Sequence, residues 1–234
     1  MSQFETILHW VYVAIMFSSA ILFQLLSRAP REVPAYKYMI HTFIVVWSGL
    51  AYAAMAFGQG SVIAEGQTVY YARYIDWVIT TPLLLLSLNL TAKYTIKVKG
   101  TLTAALLGTQ AIMIITGLVA ELSPKDVQWF WYAAGCLALV VVLYLIWQPL
   151  HRKTFMQDKE ITLVYRKSAL FLTIQWLAYP IVWMMGSMGL RILNESTTTL
   201  LFIILPIVSK AGFGFFNLFL LRALPAMVKE KTKD

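Results

Sequence analysis

The sequence predicts an all-α membrane protein, a bundle of seven transmembrane helices with its N-terminus outside and its C-terminus inside. Three observations carry that expectation. The 234 residues are 59% hydrophobic and only 13% charged, against roughly 25% charged in an ordinary soluble domain. Seven apolar runs are each close to the length of about 20 residues that crosses roughly 30 Å of hydrocarbon. The basic residues gather on alternate connections between those runs. The same composition excludes a disordered chain, a collagen-like fibre and a disulfide-stapled secreted domain, because the 12 Gly and 8 Pro follow no period and Cys136 stands alone. The net charge of +8 is not concentrated on one polar face, so no nucleic-acid partner is expected. No metal site is expected either.

In chain order the runs are 4–26, 36–57, 69–90, 101–121, 127–148, 164–186 and 199–221. The first begins with no basic leader and no small-residue cleavage site, so it reads as a retained helix. The second carries His41 and Tyr52, and the third carries Asp76 and Pro82. The fourth contains Gly108, the fifth Gly135, the sixth Pro180, and the seventh Pro206 and Lys210. Such breakers are tolerated in a bundle where neighbours satisfy the freed backbone groups. The connections are short, so residues 1–234 read as one domain in the lipid bilayer with no soluble domain attached.

Orientation follows from Lys and Arg, which favour cytoplasmic loops. Arg28, Arg31 and Lys37 follow run one, and Lys93, Lys97 and Lys99 follow run three. Arg152, Lys153, Lys159, Arg166 and Lys167 follow run five, and Arg222, Lys229, Lys231 and Lys233 end the chain. The opposite side has only Arg73, Lys125 and Arg191. The positive balance is thus a topology signal, expected to place the basic side in the cytoplasm.

Ten of the eleven acids, Glu65, Glu121 and Glu195 among them, fall in loops, tails or helix ends; Asp76 falls inside run three. Lys210 falls near the middle of run seven. A charge at such depth costs roughly 2.5–3.5 kcal/mol on insertion scales, so the two are expected to be kept for each other. An ion pair that merely ties two helices together would explain the same residues. At 100° per residue Arg73, Asp76, Thr80 and Ser87 share one helix face. Thr80 can bond the Asp76 carboxylate or, as mid-helix hydroxyls commonly do, the carbonyl four residues back. An amine attacks an aldehyde only as the free base, which a desolvated setting favours, and Lys210 is therefore a candidate nucleophile.

"RYIDWVITTPLLLLSL" at 73–88, "WLAYPIVWMMG" at 176–186 and "LPIVSKAGFGF" at 205–215 together resemble the helix-three, helix-six and lysine segments of the microbial (type 1) rhodopsins. "WSGLAYAAMA" at 47–56 and "MIITGLVAEL" at 113–122 look closest to cyanobacterial members of the Anabaena sensory rhodopsin type. The resemblance implies all-trans retinal carried as a protonated Schiff base on Lys210, with Asp76 as counterion and proton acceptor and Arg73 helping to keep it ionised. It implies a pocket of Trp77, Thr81, Met113, Trp131, Trp176, Tyr179, Pro180, Trp183 and Pro206, although Trp and Tyr also form ordinary interfacial belts. Arg73, Thr80, Ser87, Tyr52 and His41 would serve the proton path and its electrostatics.

Departures from the family pattern shape the functional expectation. Ser87 occupies the position of the cytoplasmic carboxylic donor, so refilling is expected from bulk water or through His41, whose ring titrates near pH 6.5 when unperturbed. Pro206 replaces the usual second acid, and Asn217 replaces an acid of the Anabaena type. Thr198 and Asn194 stand where release acids occur, with Glu195 and Glu65 as substitutes or simply solvated charges. A light-driven outward proton pump is the leading expectation, with protons as cargo and a homo-oligomer, a trimer, compatible with the outer faces. The alternative is a photosensor acting through a transducer. Asp76 argues against chloride pumping, and the Asn-Asp-Gln set of sodium pumps is absent.

Overall fold

The computed structural model describes residues 2–225 apart from 32, 65, 95–99 and 188. The expected basic residues Lys97, Lys99, Lys229, Lys231 and Lys233, and Glu65, lie outside the described residues. Among those described, seven helices are long and apolar enough to cross a membrane: α1 Gln3–Ser27, α2 Ala35–Ala56, α3 Tyr71–Ala92, α4 Gly100–Leu122, α5 Lys125–Thr154, α6 Lys159–Met185 and α7 Glu195–Arg222. Each neighbours the next, and α7 closes the bundle against α1 and α2. In a bilayer this all-helical solution keeps every backbone bond within its own segment.

Local chemistry sets the helix ends. Ser2 caps α1 by accepting from the Glu5 amide at 3.2 Å, while the Glu5 carboxylate accepts from the Ser2 amide at 2.9 Å. Asn194 caps α7 by accepting from the Thr197 amide at 2.8 Å, so that helix starts four residues before the predicted 199. Helix α5 runs past the predicted 148 because Ile146–Leu150 widens into a π turn around Pro149. The Ile146 carbonyl in that turn accepts from the Tyr165 hydroxyl at 2.6 Å. Between α2 and α3 the chain makes an antiparallel ribbon, β1 Val62–Ala64 with β2 Gln67–Val69. The helix count did not foresee it. Its signal is the Glu-Gly pair between β-branched residues, where Gly66 takes φ +75°.

Helix α3 is the most enclosed span, 61% buried against 17% for α4, and it carries the polar stripe through the centre of the bundle. Side chains mainly of α1, α2 and α7 pack one core, and those of α3 to α6 with Ile44 of α2 and Phe213 of α7 pack another. A third, aromatic cluster of Tyr74, Trp77, Trp183 and Phe202 lies around the Arg73 end of α3. The ion pair described next sits among these clusters.

Candidate functional site: a buried lysine–carboxylate pair beside an aromatic cavity

Asp76 from α3 and Lys210 from α7 are 0% and 1% exposed and form an ion pair through Asp76 Oδ2. It is the only ion pair among the described residues. Ser48 of α2 completes it, donating to Asp76 Oδ2 at 2.9 Å and accepting from Lys210 Nζ at 2.8 Å. Tyr12 of α1 shares that hydroxyl at 2.6 Å. Four helices thus converge on one buried charge pair, and the Ser48 and Thr80 hydroxyls add hydrogen bonds to it, which helps a buried pair to be tolerated. Sequence reasoning singled out neither Ser48 nor Tyr12. A signal was present for Ser48, which lies seven residues after His41 and four before Tyr52, on one face of α2.

The lysine sits in a second π turn, Ile207–Gly212, directly after Pro206. Pro206 has no N–H to bond the carbonyl four residues back, and that carbonyl, of Phe202, accepts from the Tyr52 hydroxyl at 2.8 Å. Tyr52 also stacks on Tyr12 at 3.7 Å. Its hydroxyl therefore holds α7 rather than the carboxylate, and Pro206 shapes the helix carrying Lys210 and does not line the main cavity. π turns recur at functional positions because they re-aim side chains.

The stripe on α3 divides into two ends. Thr80 donates to the Asp76 carbonyl at 2.8 Å and reaches the carboxylate only at 3.3 Å, so the intrahelical bond is the stronger. Arg73 makes no ion pair with Asp76. Its guanidinium lies over the rings of Tyr70 at 5.2 Å and Phe202 at 4.9 Å, cation–π contacts that hold the charge at the rim. A small opening of about 350 Å³, counted out to solvent, lies there, lined in part by Arg73, Glu121 and Glu195. Glu121, at the end of α4 as expected, is buried and accepts from the Tyr74 hydroxyl. At the other end Ser87 meets His41 Nε2 at 3.1 Å and donates to Asn217 Oδ1 at 3.4 Å. Asn217 in turn donates to Ser168 at 3.0 Å. Lys37, expected in a basic connection, is instead inside α2 and 0% exposed.

An almost wholly apolar cavity of about 700 Å³, counted to its open side, lies beside the pair. Trp77, Thr81, Met113, Trp176, Tyr179, Pro180 and Trp183 line it, as expected from the resemblance. Trp131 does not; the neighbouring Tyr132 takes its place and stacks on Trp183 at 4.8 Å and 16°. Helix five therefore presents the face one residue further on, a shift of about 100° that run boundaries alone do not resolve. Thr81 donates to the Trp77 carbonyl at 2.8 Å and accepts from Gln110 at 2.9 Å. The cavity adjoins the pair: Trp77 follows Asp76, and the Tyr179 hydroxyl bonds Ser209, next to Lys210, at 2.9 Å. Flat aromatic walls, apolar lining and a buried amine at one edge fit a long conjugated aldehyde. Among the described residues no cluster suited to a metal ion occurs.

Fold and site together define a seven-helix membrane protein in which a buried lysine pairs with one buried carboxylate beside an apolar, aromatic-walled cavity. A family model described as bacteriorhodopsin-like protein matches residues 3–224. Archaerhodopsin-3 of Halorubrum sodomense is 33% identical over 92% of this chain and 84% of its own. Sensory rhodopsin-2 of Haloarcula vallismortis is 32% identical over 91% of this chain and 90% of its own. Among solved structures, cyanorhodopsin N2098R of the cyanobacterium Calothrix superposes with a TM-score of 0.90, at 25% identity and 100% of both chains. The light-driven proton pump of Coccomyxa subellipsoidea superposes at 0.85, with 27% identity over 94% of this chain and 97% of its own. The chain belongs to the bacteriorhodopsin-like family, the microbial type 1 rhodopsins. It is a multi-pass integral membrane protein of a family that binds retinal through a Schiff base to a lysine and comprises light-driven ion pumps and photoreceptors, not enzymes.

Proposed function

We propose that this protein is a light-driven outward proton pump in which Lys210 carries retinal and Asp76 is both counterion and proton acceptor. The observation that carries this reading is the Lys210–Asp76 pair with its Ser48 partner, the one place among the described residues where a buried acid faces a buried amine. Retinal, bound as an imine on Lys210, supplies light absorption and a light-driven reorientation of the proton on the Lys210 nitrogen. Trp77, Tyr179, Trp176 and Trp183 confine it and exclude water. Asp76 accepts a proton from the Lys210 nitrogen, and Ser48 and Thr80 stabilise the carboxylate before it does so. The cavity holding Arg73, Glu121 and Glu195 gives that proton a polar way out. The charge bias of the connections supports an outside N-terminus and a cytoplasmic Ser87 end.

A photosensor with a transducer is the second reading, favoured by Ser87 in place of a carboxylic donor and by the similarity to Sensory rhodopsin-2. Illuminated pH recording of cells with and without a protonophore separates the two. Sustained external acidification that the protonophore abolishes is the expected result. A coloured protein giving no net flux would favour the sensor, and a wild type that stays colourless with retinal would end both readings. Lys210→Ala should abolish colour, and Asp76→Asn should shift absorption to the red and stop transport.

A further inference from the structure

Lys37 is a buried amine for which nothing above has a use. It is 0% exposed in α2, and its Nζ donates to the Ser87 carbonyl at 2.7 Å and to Thr91 Oγ1 at 2.9 Å. Both acceptors are neutral and belong to α3. These two bonds use two of the three N–H donors that a lysine ammonium offers. Among the described residues no carboxylate lies within ion-pairing distance of it. Its ionisable and charged neighbours are His41, one turn further along α2, and, beside it, the Tyr38 hydroxyl with the Arg222 guanidinium of α7, which bonds Tyr38 and the Leu26 and Ala29 carbonyls. The α7 residue nearest Ser87 is Asn217, which does not titrate.

His41 is also 0% exposed, with Nε2 on Ser87 and Nδ1 buried without a partner. Two nitrogen bases one helical turn apart, both touching Ser87, thus occupy the level where the family places a carboxylic acid. Two buried cations so close repel strongly in a medium of low dielectric, so the pair accommodates one proton and not two. We infer that Lys37 and His41 together hold a single mobile proton and are the internal donor that recharges the Lys210 nitrogen. The proton leaves the pair for Lys210, and water from the Ser87 end then restores it. The pair sits at Ser87 and the Lys210 nitrogen at Asp76, eleven residues and about 16 Å of helix rise apart along α3. Ile44, Leu84 and Phe213, each 0% exposed, stand at the intervening level of α2, α3 and α7. The transfer therefore waits for water to enter that layer.

The inference rests on the pump reading, and its test separates the two. In the retinal-loaded chain in lipid, kept dark and labelled with 15N at lysine Nζ and in the histidine rings, NMR should show the Lys37 and His41 signals moving over one common pH interval. A Lys37 signal fixed from about pH 4 to about pH 10 would overturn the inference whether or not the protein pumps. After a flash, Lys37→Met and Lys37→Arg should both slow return of the proton to the Lys210 nitrogen, by about tenfold or more. Arginine keeps the charge but does not give up its proton, so a Lys37→Arg variant that recovers as fast as wild type assigns Lys37 a structural charge and overturns it too. A wild type that gives no outward acidification counts against the pump reading alone.

Discussion

Single residues here carry charge arithmetic that can be measured without light. Asp76 and Lys210 are each other's only ionic partner among the described residues, and removing one leaves a buried, uncompensated charge, which typically costs about 3–5 kcal/mol. In the retinal-free protein, Asp76→Leu alone should lower stability by about that amount. Asp76→Leu with Lys210→Met should recover most of the loss, because two apolar side chains replace the pair without stranding a charge. Thermal unfolding of the four proteins in one detergent gives the cycle. A loss in the double variant equal to the sum of the two single losses would mean that the pair is not coupled. The same residue scale explains a misplacement. Lys37 counts as a topology signal when only its charge and its distance from the first run are considered, whereas the α2 backbone turns it inward against α3.

Elements are anchored to one another at points of close approach, and Gly214 is the tightest on α7. A Cβ there would meet the Phe23 ring of α1 at 2.6 Å and His41 Nδ1 of α2 at 3.3 Å. Phe23 is 0% exposed, so it has little room to retreat. Gly214→Ala should destabilise by about 1–3 kcal/mol, as overpacking generally does, and Phe23→Leu added to it should restore more than half; melting temperatures decide this. The seven helices were legible in the sequence because length and apolarity suffice to define a span. Asp76 and Lys210 were legible because a charge in hydrocarbon has few alternatives, whereas most aromatic walls came only from the resemblance to the microbial rhodopsins, since rings at helical spacing also form interfacial belts. The π turn at Pro149, the anchoring of Phe202 by Tyr52 and the exchange of Trp131 for Tyr132 were not, because each depends on a rotation of about one residue or on a long-range carbonyl partner, and neither leaves a mark in a hydropathy pattern.

In the proposed pump, the direction of transport would depend on an asymmetry between the two halves of the molecule. On the Arg73 side of the pair lie a polar cavity, a buried carboxylate on Tyr74 and a guanidinium with two buried nitrogens unbonded among the described residues. On the Ser87 side, Ile44, Leu84 and Phe213 pack into one apolar layer between the pair and the Lys37–His41 nitrogens. Hydrophobic layers of this kind hold water out until something moves, so a proton leaving Asp76 finds an open route on one side only. That layer, rather than any single donor, should then limit how fast the site is recharged. Leu84 belongs to it and does not line the aromatic cavity, which makes Leu84→Ser a selective probe. The expected outcome is recovery after a flash that is faster by severalfold, with the absorption maximum unmoved and outward acidification per flash preserved or lowered by back-leak. Time-resolved absorption at two wavelengths measures both, and recovery no faster than wild type would place the rate-limiting barrier elsewhere than in the apolar layer.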